Sequence, residues 1–251
     1  MTAGAQTALR EPRLRGQTVV LIGGSAGIGL ETARLARGEG ADVILVGRDP
    51  DHLRQAAADV GALSTAAFDA SDPDGLERFF AELPGPIDHV LVTAGGNYYA
   101  RLADLDFTEV RRLVDEHLLM PIHVARAASG KVRPPGTLLF MGGTGGRRPG
   151  LGLVLPGALT AAGPALIANL ALELAPVRVN LIAAGFVDTP LSARLLGDDL
   201  DRRRDQLRAT LPIGRVVGPA DVAALAVHLM TNTALTGATY DIDGGQQFVP
   251  A

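Results

Sequence analysis

Cysteine is absent from the 251-residue chain, which removes disulfides, thiolate metal ligands and cysteine nucleophiles in one step and is compatible with a reducing, cytoplasmic location. Basic charge is not in excess: the net charge is −4 and the basic residues are scattered, so no nucleic-acid partner is expected. The five histidines are dispersed without ligand spacing, so no metal site is expected. Signal-peptide order is missing too, because Arg10, Arg13 and Arg15 follow the few apolar residues at the start instead of preceding them. Residues 1–15 are read as a loose tail ahead of one domain, 16–251, a comfortable length for a single α/β core. Only Leu151 to Ala175 is apolar for long enough to raise a membrane span. Pro156, Gly157, Gly163, Pro164 and Asn169 interrupt it, and no membrane is expected; a helix buried between the sheet and a neighbouring subunit is the better reading.

What is present is organised around Val19-Val20-Leu21-Ile22, four apolar β-formers that run into a turn with Gly23, Gly27 and Gly29 and then into a helix. Such a strand suits a sheet covered on both faces. The glycines let the backbone turn tightly and approach a ligand, while unpaired N–H groups of the new helix favour an anion such as a diphosphate. The spacing, Gly-x-x-x-Gly-x-Gly, fits the dinucleotide fingerprint only loosely, so its weight rests on the residues that accompany it along the chain.

Strand-like and helix-like segments then alternate: strands at 42–47, 65–68, 87–93, 137–141, 177–182 and 239–242, with helices at 27–39, 51–60, 73–83, 108–129 and 158–175 and a last one starting at Pro219. The alternation predicts a single α/β domain, doubly wound, with about seven parallel strands and helices on both faces. Ligands of such sheets lie beyond the carboxyl ends of the strands. The residues there are Gly23 to Gly29, Gly47-Arg48-Asp49, Asp69-Ala70-Ser71-Asp72, Thr93-Ala94-Gly95-Gly96, Gly142-Gly143-Thr144-Gly145 and Ala184 to Pro190, with Asp241-Ile242-Asp243-Gly244-Gly245 near the end.

Together these residues resemble the short-chain dehydrogenase/reductase superfamily from about Gly16 to Gly245. The resemblance implies a Rossmann-type fold, a nicotinamide dinucleotide and a homodimer or homotetramer assembled through two long helices. Gly23, Gly27 and Gly29, with Ser25 and Ile28 in the same turn, match the phosphate cradle, although Ile22 replaces the usual Thr. Arg48 stands where an acidic residue would bind ribose hydroxyls, and a guanidinium there pairs with a 2′-phosphate, so NADP(H) is favoured over NAD(H); the alternative is a solvated turn arginine. Asp69 and Ala70 match the adenine contact, with a helix N-cap as the alternative for Asp69. Ala94 and Gly95 match the Asn-Ala-Gly turn with Thr93 replacing Asn, and Val187 and Thr189 match the loop that holds the nicotinamide carboxamide.

The catalytic half departs from the pattern. No Tyr-x-x-x-Lys occurs anywhere in the chain. By the resemblance the Tyr position falls on Pro156, the Lys position on Thr160, the Ser position on Gly143 and the Asn position on His117. A positioned general acid contributes about 10²–10⁴ in rate, so ordinary ketone chemistry by the family mechanism is not expected. Substitute proton donors are Tyr98, against a role as packing over the pocket mouth, and His117, against a buried ring satisfied by a carbonyl. Tyr99 shares the Tyr98 loop, and Thr144 is a partial replacement for the Ser. Arg147 and Arg148 are placed to receive an acidic substrate or form a solvated pair, while Arg202, Arg203 and Arg204 read as the solvated face of an exposed lid helix. Pro164 either delays the start of its helix or bends it. The reading is an atypical NADP(H)-dependent oxidoreductase for a small, apolar, activated carbonyl, enone or imine. The competing reading is a catalytically silent NADP(H) sensor or oligomeric scaffold.

Overall fold

The computed structural model describes residues 11–249. Among them, seven strands form one wholly parallel sheet: β1 (Thr18–Ile22), β2 (Asp42–Gly47), β3 (Ser64–Ala67), β4 (Ile87–Val92), β5 (Val132–Gly143), β6 (Arg178–Ala184) and β7 (Thr239–Ile242). Their order across the sheet is β3-β2-β1-β4-β5-β6-β7. Strand order therefore reverses between β1 and β4, which opens a crevice beyond their carboxyl ends.

The apolar runs divide by alternation, as pleating requires. Val20, Ile22, Ile44, Val46, Val90 and Val92 enter one core, and their neighbours Val19, Leu21, Val43, Leu45 and Leu91 enter the other. The second core packs against α1 (Gly27–Gly38), α2 (Pro50–Val60) and α9 (Pro219–Thr231). The first packs against α3 (Pro73–Glu82), α5 (Met120–Ala128) and α6 (Val154–Glu173). The expected helix over 108–129 is α4 (Phe107–Val114) joined to α5 through a π-helical turn, Asp115–Leu119. Beyond β6 lie α7 (Pro190–Leu196) and α8 (Leu200–Thr210).

Of the tail expected over residues 1–15, residues 1–10 lie outside the described residues. Leu14 is fully buried in the second core and its N–H donates to Glu39 O at 2.9 Å, so residues 11–15 pack against the end of α1.

Helix α6 runs from Val154 through Pro164 without a break, so of the two alternatives the late start is ruled out: ten residues precede the proline in the helix, and Pro164 itself is exposed. By length and composition α6 could cross a membrane, yet Leu159, Ile167 and Ala171 are buried on the sheet side. Its opposite stripe, Val154, Ala158, Ala161, Ala165, Ala168 and Leu172, is exposed.

Polar residues in the sheet have specific partners. Arg178 on β6 is buried without a carboxylate; its guanidinium donates to Leu229 O (2.7 Å), Met230 O (2.8 Å) and Asn232 O (3.1 Å), which satisfies the orphan carbonyls at the end of α9. His89 on β4 is 3% exposed. Its Nε2 donates to Gln17 Oε1 at 2.7 Å, and its Nδ1 has no hydrogen-bond partner among the described residues. Burial holds this ring neutral, lowering its pKa from 6.5 to about 4, against a smaller upward pull from Asp88. The unfolded chain takes up that proton near pH 6.5, so the associated stability is present in full above that pH and is lost as pH falls towards 4. The loss is about 3 kcal/mol for this one group. In urea unfolding, His89→Gln is expected to reduce the difference in stability between pH 7 and pH 4 by that amount; an identical difference in both proteins would remove His89 as its source.

Candidate active site at the strand-order reversal

The carboxyl ends of β1 and β4 are held together by backbone bonds. Thr93 N and Ala94 N both donate to Ile22 O, at 2.7 and 3.1 Å, and the Thr93 hydroxyl donates to Gly23 O at 3.1 Å. A Cβ on Gly23, whose φ is +96°, would lie 2.5 Å from Thr93 Oγ1; a Cβ on Gly29 would lie 2.3 Å from Gly23 O. Both positions therefore exclude any side chain. Ala26 begins α1 with no side-chain cap, leaving the first N–H groups of the helix for a ligand.

A cleft of about 930 Å³ opens on this turn. It gathers Gly23, Ser25, Gly27, Ile28, Ala94, Gly95, Val187 and Thr189, together with Tyr98 and His117. Gly29 does not line it; its part is the close packing of α1 on the turn. Arg48, Asp69 and Ala70 also lie outside the cleft wall, at the ends of β2 and β3. Arg48 is exposed, and the Ser25 hydroxyl sits 3.2 Å from where a Cβ of the adjoining Gly47 would be, so Ser25 reaches towards the start of the Arg48 turn. Asp69 Oδ1 accepts from Ser71 N at 2.9 Å, while the N-cap of α3 is Asp72. Thr189 caps α7, accepting from Ser192 N at 3.2 Å, and its methyl lies 3.6 Å from a Cβ built on Gly27.

The opposite wall is β5 and α6, where Gly143, Thr144, Pro156 and Thr160 reach the cleft. The Thr160 hydroxyl donates to Pro156 O at 2.8 Å, back into its own helix. A side chain on Gly143 would place Cβ 3.1 Å from the Thr160 methyl, and one on Gly146 would collide with Gly157 O at 2.8 Å. The glycine-rich exit from β5 thus lets α6 approach closely.

His117 lies in the π-helical turn between α4 and α5. Its Nε2 donates to Gly96 O at 2.9 Å, which leaves Nδ1 as the nitrogen able to accept a proton. The same residue is held from its other side: Gly96 N donates to Glu116 Oε2 at 2.8 Å. Arg112 in turn grips both oxygens of Glu116 at 2.8 and 2.7 Å. The Tyr98 ring borders the cleft, but its hydroxyl accepts from Asp106 N at 2.9 Å and donates to Asp104 O at 3.3 Å. That hydroxyl is thereby committed to the following turn. Tyr99 is 56% exposed; desolvation by the packed protein raises its phenol pKa, and the Arg203 charge pulls it back.

The arginines separate in space. Arg147 pairs with Asp241, whereas Arg148 donates to Gln246 O at 2.7 Å and lines the cleft. The solvated face expected for residues 202–204 holds for Arg202, which is exposed and pairs with Asp199 at 2.8 Å, and is corrected for the other two: Arg204 clamps both oxygens of Asp188 at 2.9 and 2.8 Å, and Arg203 enters the cleft. Helical geometry explains this, since consecutive residues point about 100° apart. Sequence reasoning did not single out Glu116 or Gln246. Gln246 Oε1 accepts from Phe186 N at 2.8 Å, fastening the chain end to the loop after β6. For Glu116 the available signal was its i,i+4 spacing from Arg112.

A family model described as enoyl-(acyl carrier protein) reductase matches residues 23–247. Short-chain dehydrogenase/reductase ATR9 of Stachybotrys chlorohalonatus is 30% identical, over 93% of this chain and 98% of its own. The NADP-dependent (R)-specific alcohol dehydrogenase of Lentilactobacillus kefiri is also 30% identical, over 93% and 97%. The crystal structure of BdcA in complex with NADPH superposes with a TM-score of 0.83 at 27% identity, covering 93% of this chain and 95% of that one.

Replacing Glu116 with Leu removes one of the two carboxylates that hold Arg112, which keeps Glu109 at 2.7 Å, and leaves the Gly96 N–H without its acceptor. The expected cost is about 1–3 kcal/mol in urea unfolding, with faster amide exchange over residues 95–99. Unchanged exchange there would show that another contact holds the loop.

Proposed function

This chain belongs to the short-chain dehydrogenase/reductase family, and we propose that it is an NADP(H)-dependent oxidoreductase working without the family's Tyr/Lys acid. The observation that carries this reading is the cleft itself, with the Gly23 to Gly29 turn on one wall and Pro156 and Thr160 on the other. The NADPH bound by BdcA and the NADP dependence of the Lentilactobacillus relative support the choice of nucleotide.

The residues present fit the cofactor. The side-chain-free turn and the uncapped start of α1 suit a diphosphate, and Arg48, with Ser25 near its turn, suits a 2′-phosphate. Asp69 and Ala70 are assigned to the adenine, and Val187 and Thr189 to the carboxamide. The bound nicotinamide supplies a hydride. The chain's own residues supply orientation and proton handling: His117 Nδ1 is the nitrogen free to accept or relay a proton, and the His117–Gly96–Glu116 contacts keep it in place. Orientation alone contributes several kcal/mol, so an iminium, enone or otherwise activated carbonyl asks less of this site than a plain ketone. Leu153, Pro156, Leu195 and Leu196 line the cleft and suit an apolar substrate body.

The commitment of the Tyr98 and Thr160 hydroxyls favours a second reading, a silent NADP(H) sensor or scaffold. Under either reading the exposed apolar stripe of α6, with Leu119 and Ile122 beside α5, is assigned to a homodimer or homotetramer contact, and the cysteine-free composition suits the cytoplasm.

Titration with NADPH and NADH, followed by nicotinamide fluorescence, tests the nucleotide. NADPH is expected to bind more tightly, and Arg48→Ala to weaken it about tenfold to a hundredfold while NADH changes little. Binding of neither nucleotide would end the oxidoreductase and sensor readings and leave the scaffold. Turnover of an enone or imine with NADPH then separates enzyme from sensor. Light scattering is expected to give twice or four times the 26.0 kDa chain mass; a monomer removes the subunit contact.

A further inference from the structure

Adjacent arginines near the cleft differ in one respect. Arg147, Arg202, Arg204 and Arg208 each face an aspartate. Arg148, Arg194 and Arg203 line the cleft, and among the described residues none of the three has a carboxylate partner. Among the described residues the only carboxylate in the cleft wall is Glu116, already neutralised by Arg112. The cleft is thus cationic in a chain whose net charge is −4. Two of these cations are half-buried, a costly state for a charge with no counterion. Arg203 is held below the ordinary guanidinium range, first by burial and then by the Arg148 charge, so the two sense one another across the cleft. Each spends one nitrogen on a neutral acceptor, Gln246 O for Arg148 and Gln206 Oε1 for Arg203, and keeps other N–H donors free.

We propose that the substrate carries an anionic substituent, a carboxylate, sulfonate or phosphate, seated between Arg148 and Arg203, with its apolar body against Leu153, Leu195 and Leu196. The assignment rests on the reading of the cleft as the substrate site of an oxidoreductase and narrows its substrate class to amphiphilic acids. Arg148 comes from the segment after β5 and Arg203 from α8, so the anion would also draw the lid helix onto the β5 side of the cleft. Their guanidiniums match a carboxylate or phosphate in shape as well as charge.

The test uses two fluorescent probes of similar shape, 8-anilinonaphthalene-1-sulfonate and the uncharged N-phenyl-1-naphthylamine, bound to the full chain with and without saturating NADP+. In Arg148→Gln/Arg203→Gln the sulfonate is expected to bind about tenfold more weakly, with the neutral probe within twofold. Arg202→Gln, on the same helix but paired with Asp199, is expected to change neither. Circular dichroism and the neutral probe report on folding of the double variant. No sulfonate binding, equal effects on both probes, or no effect of the double variant would overturn the proposal. Displacement of the sulfonate by NADP+ would also overturn it, assigning the arginines to the cofactor. Failure of NADP+ to bind is read separately in its own titration and refutes the oxidoreductase reading while leaving the probe contrast to decide the anion site.

Discussion

Close approach of the β1–α1 turn to the end of β4 is the constraint on which the rest of the site depends. Gly23 and Gly29 have no room for a methyl group, and Thr93 joins the two segments through its backbone N–H and its hydroxyl. This packing sets where α1 begins, and so where its free N–H groups lie. It also sets where the 94–99 loop leaves the sheet. That loop is then held by the π-helical turn, through both backbone polar groups of Gly96. A π turn inserts an extra residue into the helix, and here Glu116 and His117, neighbours in sequence, both meet Gly96.

A second economy of space governs the far wall. Glycines at 143 and 146 let α6 sit against the exit of β5, and α6 carries few polar atoms of its own, so the hydroxyl of Thr160 turns back to its helix. The wall formed by β5 and α6 brings Gly143, Pro156 and Thr160 to the cleft, with the Thr160 hydroxyl bonded within its own helix. His117 lines the cleft from the π-helical turn, and its Nδ1 is the ring nitrogen not used in the bond to Gly96 O.

Electrostatics in the cleft follow from which charges the fold neutralises. Asp188 and Asp241 are taken by Arg204 and Arg147, fastening the lid helix and the chain end. These pairs are partly exposed, so their stabilisation is small; their effect is to fix positions. Among the described residues, Arg148, Arg194 and Arg203 face the cleft without a carboxylate partner, which is where a field would steer an anion.

Sequence alone determined the alternation of strand and helix, the parallel sheet and the glycine turn at its centre, because apolar runs, periodicity and turn chemistry are local properties. Helix ends were legible to within a few residues, except at α6, where Pro164 obscured a start at Val154. The spacing of residues also brought Gly23, Ser25, Gly27, Ala94, Val187 and Thr189 to one end of the sheet. The partner of each polar side chain was decided only by tertiary structure. Arg147 meets Asp241 from 94 residues away, and Arg148 meets Gln246 O from 98; nothing local tells the two arginines apart. Likewise no pattern around Tyr98 shows that its hydroxyl closes on Asp106, or that His117 faces Gly96. Local spacing fixes which face of an element a residue occupies, but a hydrogen bond needs the other element to arrive, and that depends on the packing of the whole sheet.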